Sequence, residues 1–75
     1  MVKKIDKIDI INIKNEAAKL IQVNTFLRDG QTIFIAASKL FKVSSDKLVG
    51  TDYDCFYEDS RIDKFLDKLL TMDAE

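Results

Sequence analysis

Histidine and proline are absent from the 75 residues, glycine occurs twice and cysteine once. Without histidine the usual general base is missing, and with it the zinc sites and catalytic triads that depend on an imidazole. The single cysteine, Cys55, excludes an intramolecular disulfide. It lies between Asp54 and Phe56, and acidic neighbours raise a thiol's pKa, so it reads as a small packed residue, not a nucleophile. Carboxylate-only chemistry stays formally open, yet 13 scattered Asp and Glu residues are what a small soluble surface carries anyway. These absences point away from an enzyme, and neither a metal nor a cofactor is expected.

The lack of proline and of low-complexity stretches removes any sign of a linker, so residues 1–75 are expected to form a single domain. No apolar run approaches the roughly 18 residues that span a bilayer, and Lys3 and Lys4 are not followed by a signal-peptide core. A cytoplasmic protein with no membrane contact is the expectation. What is present is an ordinary globular balance, 47% hydrophobic and 33% charged, too apolar for a disordered chain. A domain this short buries only about 60 to 65% of its unfolded surface, so modest stability is expected.

Along the chain, Ile5, Ile8, Ile10, Ile11 and Ile13 match the period of a strand about as well as that of a helix, leaving Met1 to Asn15 open between the two. With Asn15 as an N-cap, Glu16 to Gln22 reads as a helix with Ala17, Leu20 and Ile21 on one face. From Val23 to Ala36, β-forming residues flank Arg28-Asp29-Gly30, and an Asp-Gly so placed signals a β-hairpin. Ala36 to Lys42 is again helical, and Ser44 or Ser45 caps a short second helix that Gly50 ends. Thr51 to Asp59 is either a short strand or a loop packed by its aromatics. Last, Ser60 caps an amphipathic helix whose Ile62, Phe65, Leu66, Leu69 and Leu70 fall at i, i+3, i+4, i+7 and i+8. The fold class expected is therefore α+β, with helices packed on a short β-hairpin.

Residues 16–24 and 36–44 are alike, which reads either as a duplication or as chance similarity between helix-forming segments. The second copy, extended as Ala37-Ser38-Lys39-Leu40-Phe41-Lys42-Val43-Ser44-Ser45-Asp46-Lys47-Leu48-Val49-Gly50, resembles the helix-turn-helix of small DNA-binding regulators from phages and mobile elements. It is similar to the excisionase and MerR-like pattern and to the last helices of Cro/CI-type repressor domains. In such a motif Ser38 lets the helices approach, Phe41 and Val43 are buried at the elbow and Leu48 locks the second helix. The resemblance implies a DNA-binding transcriptional regulator in which Ser44, Ser45 and Lys47 read bases while Lys39 and Lys42 contact phosphates. It also implies a homodimer, since paired half-sites multiply affinity.

Charge supports a second reading. Residues 1–50 hold nine Lys or Arg against five Asp or Glu, a balance of +4, and residues 51–75 hold three against eight, a balance of −5. An acidic ridge of Asp52, Asp54, Glu58 and Asp59, with Tyr53, Phe56 and Tyr57 as aromatic anchors, suits an inhibitor of a nucleic-acid-binding protein, of the anti-CRISPR or antirepressor type. Solvated faces with no partner are the plain alternative, as charge runs usually are.

Overall fold

The computed structural model describes residues 3–75 and shows an all-helical fold in place of the expected α+β one. Among the described residues four helices follow in order: α1 (Lys7–Val23), α2 (Asp29–Leu40), α3 (Lys42–Asp46) and α4 (Ile62–Leu69), the last preceded by a 3-10 turn at Asp59–Arg61. Strand geometry among the described residues is limited to one antiparallel bridge between Lys4 and Asp73. Around it Ile5 N–H donates to the Met72 carbonyl (3.0 Å) and Ala74 N–H to the Lys3 carbonyl (2.7 Å), so residues 3–5 are tied to residues 72–74.

Helix α1 starts well before Asn15. Asp6 is its N-cap: its carboxylate accepts from Asp9 N–H at 3.0 Å while the Asp9 carboxylate accepts from Asp6 N–H at 3.0 Å, a reciprocal box that satisfies two free donors of the first turn. This cap resolves the open segment as helix from Lys7 onward; Met1 and Val2 lie outside the described residues. Ile13 and Ala17 are buried and Ile10 and Leu20 pack partly against the core. Ile8 and Ile11 face outward.

The expected β-hairpin is instead the α1–α2 turn followed by α2 itself. Arg28 N–H donates to the Gln31 side chain at 2.9 Å, and Gly30 sits in the first turn of the helix with no positive φ. The run Thr32-Ile33-Phe34-Ile35-Ala36-Ala37 looked strand-like because α2 is enclosed by its neighbours: Thr32, Ile33, Phe34, Ala36 and Ala37 are all buried. A helix covered on most sides loses the polar stripe that marks the helical period, and its apolar run cannot be told from a buried strand by pattern alone.

At Phe41 (φ −140°, ψ 69°) the backbone leaves helical geometry and restarts as the five-residue α3. Ser44 and Ser45 are therefore inside this short helix and not its caps. Gly50, at φ +75°, closes the turn that follows. Thr51 to Glu58 is irregular, so the short-strand alternative falls and the loop is held by aromatics: Phe56 meets Phe34 edge-on at 6.0 Å. Helix α4 matches its expected face, with Phe65, Leu66 and Leu69 buried and Ile62 and Leu70 half-buried, although Ser60 lies in the 3-10 turn instead of capping it.

Candidate functional site

Two surfaces carry the residues singled out in the sequence, one at α3 and one on the loop before α4. At α3 the backbone turn at Phe41 points the serines inward. Ser44 is 1% exposed and its hydroxyl donates to the Asp73 carbonyl; Ser45 is 0% exposed and its hydroxyl has no partner among the described residues. Ser44 N–H also donates to the Glu75 carbonyl at 3.0 Å, so the end of the chain lies against this helix. Neither serine can reach a base edge, which corrects their assignment as reading residues. Val43, expected at a buried elbow, is 50% exposed; Leu48 is buried as the motif requires.

The lysines of that surface are exposed but mostly engaged. Lys39 Nζ lies 2.5 Å from Glu16 Oε1 and Lys42 Nζ 3.5 Å from Asp46 Oδ2. The Lys39 ammonium, hydrogen-bonded to Glu16, holds that carboxyl below its ordinary range. Lys47 makes no ion pair among the described residues. The structure thus groups Lys39, Lys42 and Lys47 near one end of α2 and α3 but leaves little net positive charge there.

The loop is built differently. Two of its four acids shape it from within: the Asp54 carboxylate accepts from Gly50 N–H (2.8 Å) and from Phe56 N–H (2.9 Å), closing the chain on itself. The Asp59 carboxylate accepts from Gly30 N–H at 3.0 Å and stands 3.9 Å from Arg28 Nε. A carboxylate at this place meets both a free N–H and the positive end of the helix dipole. Arg28 donates to the Phe56 carbonyl at 2.9 Å, and the Cys55 thiol donates to the Gly30 carbonyl at 3.3 Å. Burial first, and then the charges of Asp54 and Asp59, push the Cys55 thiol up to about 12. It is a structural hydrogen-bond donor there.

No protein-family model matches the chain, and neither a curated protein nor a solved structure matches it. The reading of the loop therefore rests on its own geometry. Stitched to the start of α2, it displays what is left over: Tyr57 is 76% exposed, Tyr53 is half-covered by Lys68, whose Nζ lies 5.3 Å from its ring centroid, and Asp52 and Glu58 project carboxylates that pair with no cation among the described residues. Phe56, nominated as an anchor, is half-buried between Phe34 and Tyr57 and supports the loop instead. Arg28 and Gly30, the residues that fix this loop, fall where the sequence predicts a hairpin turn; the signal for their true place is Asp29 in the first turn and Lys39 in the last, the charge order of a helix.

No group of three or more Cys, Asp or Glu that could hold a metal ion occurs among the described residues, and no helix is long and apolar enough to cross a membrane.

Proposed function

We propose that this protein is a non-catalytic binding module whose contact surface is the loop from Gly50 to Asp59 and whose partner is a basic protein surface of the kind that ordinarily holds nucleic acid. One observation carries the reading: the loop is cross-tied to α2 by Arg28, Gly30 and Cys55, yet Tyr57 stands 76% exposed on it and Asp52 and Glu58 of the same loop are exposed too. A rigid loop loses little conformational entropy on binding, and a tyrosine supplies large contact area with few rotamers to freeze. The carboxylates add steering toward a positive partner, strongest at low salt. Of the three lysines that a DNA-binding role would use, by comparison, Lys39 and Lys42 are paired with Glu16 and Asp46, on a molecule of net charge −1.

The test is affinity capture from the native cell with the wild-type protein and with a Tyr57→Ala, Asp52→Lys double variant. A nucleic-acid-binding protein retained by the wild type and lost by the variant supports the reading. Capture that ignores the loop substitutions overturns it. So does salt-sensitive binding to mixed duplex DNA that is abolished by Lys42→Glu with Lys47→Glu, which restores the regulator.

A further inference from the structure

Helices α1 and α2, joined by the short turn from Asn24 to Arg28, form an antiparallel hairpin. Along one side of it runs an open groove of about 280 Å³ lined by Lys14, Ala18, Ile21, Asp29, Ile33 and Ile62. The floor is apolar and the two ends differ in sign. Lys14 lies two turns before Ile21, about 10 Å along the helix, whereas Asp29 opens α2 at the end where Ile21 lies. Neither Lys14 nor Asp29 forms an ion pair among the described residues.

We propose that this groove seats a second copy of the chain, in an antiparallel dimer whose two-fold axis passes near Ala18. An isologous interface must be self-complementary, and this surface is. A two-fold rotation there reverses the hairpin, so Lys14 of each protomer meets the partner's Asp29. It also accounts for two uncovered apolar side chains. Ile11, 55% exposed, lies about two turns from Ala18 toward the start of α1, and the α1–α2 turn carrying Phe26, 94% exposed, lies about as far the other way. Reversal brings Ile11 of each protomer to the partner's Phe26. An occupant of one charge sign would match a single end of the groove and leave the other opposed. The hairpin face, about 25 Å long and about 20 Å across, has an outline of about 500 Å², below the roughly 800 Å² per partner of a standard interface, so a weak dimer is expected.

Sedimentation equilibrium of the whole protein, monomer mass 8.6 kDa, tests this across micromolar to millimolar concentrations. The wild type is expected to reach twice the monomer mass. Lys14→Asp and Asp29→Lys, each checked for folding by circular dichroism, are expected to weaken self-association about tenfold or more, since both symmetry-related ion pairs become repulsions. An equimolar mixture of the two variants is expected to associate again, because every like-charge contact then becomes an opposite-charge one. If either charge variant fails to fold, Phe26→Ser, at an exposed position, serves in its place and is expected to weaken the dimer. A wild type that stays monomeric at millimolar concentration overturns the proposal. So do charge variants that dimerise as the wild type does, a mixture that fails to associate, or a Phe26→Ser dimer of unchanged strength.

Discussion

A β-carbon added to Gly30 would lie 2.2 Å from the carbonyl oxygen of Cys55, and the Cys55 thiol in turn donates to the Gly30 carbonyl. Glycine is required there by the close approach of two backbones and not by a turn.

Gly30→Ala is accordingly expected to destabilise the fold by about 2 kcal/mol or more, outweighing the roughly 1 kcal/mol that alanine gains in a helix. Gly50→Ala offers the contrast, since nothing lies within 4 Å of its added β-carbon and only the positive φ opposes it. A cost of about 1 kcal/mol is expected. Urea unfolding of both variants measures the difference; equal costs would contradict the assignment.

The buried Cys55 thiol, with its pKa pushed up to about 12, is expected to resist iodoacetamide at pH 8 in the folded protein. In denaturant it should react at the rate of a free thiol. Rapid labelling of the native protein would show that the loop opens readily.

Ser44 and Ser45 are equally buried but, among the described residues, only Ser44 has a side-chain partner. Ser44→Ala is expected to cost about 1 kcal/mol, because it removes one of the two donors to the Asp73 carbonyl and leaves Glu75 N–H, at 3.0 Å, as the other. Ser45→Ala removes a buried hydroxyl that has no partner among the described residues, so a neutral or stabilising effect is expected. Thermal unfolding separates the two.

Acid should loosen the start of α1 and its tie to α2. The Asp6 carboxyl is held below its ordinary range first by Asp9 N–H and then by Lys3, and Glu16 by Lys39. A carboxyl whose folded pKa is depressed adds stability that is complete above its unfolded pKa of about 4 and is lost as pH falls through the folded value. The thermal midpoint is therefore expected to be flat near neutrality and to drop below about pH 4. In Asp6→Asn with Glu16→Gln that drop should be shallower, from a lower starting midpoint.

Helix α4 was legible because only one face of it is covered, so the apolar spacing of Ile62, Phe65, Leu66 and Leu69 survives in the chain. The start of α1 was not, because isoleucines on both its buried and its exposed faces blurred the period. For the candidate site, the exposed Tyr57, Asp52 and Glu58 belonged to the nominated acidic loop, while the ties from Arg28 and Gly30 span 25 to 29 residues of chain and left no local mark. The serines of α3 show the same limit: their types suit a helix cap, but which way they face was set by the end of the chain folding back on them.

Composition alone determined that imidazole chemistry and an internal disulfide are impossible, since both need atoms this chain lacks. The order of the residues determined the separation of positive and negative charge along the chain. Tertiary structure decided which helix lies at the centre, which acids shape the loop and which project from it, and that both serines of α3 are buried. Those outcomes depend on contacts between residues distant in sequence, and a residue's partners at that range are chosen by packing, not by its neighbours.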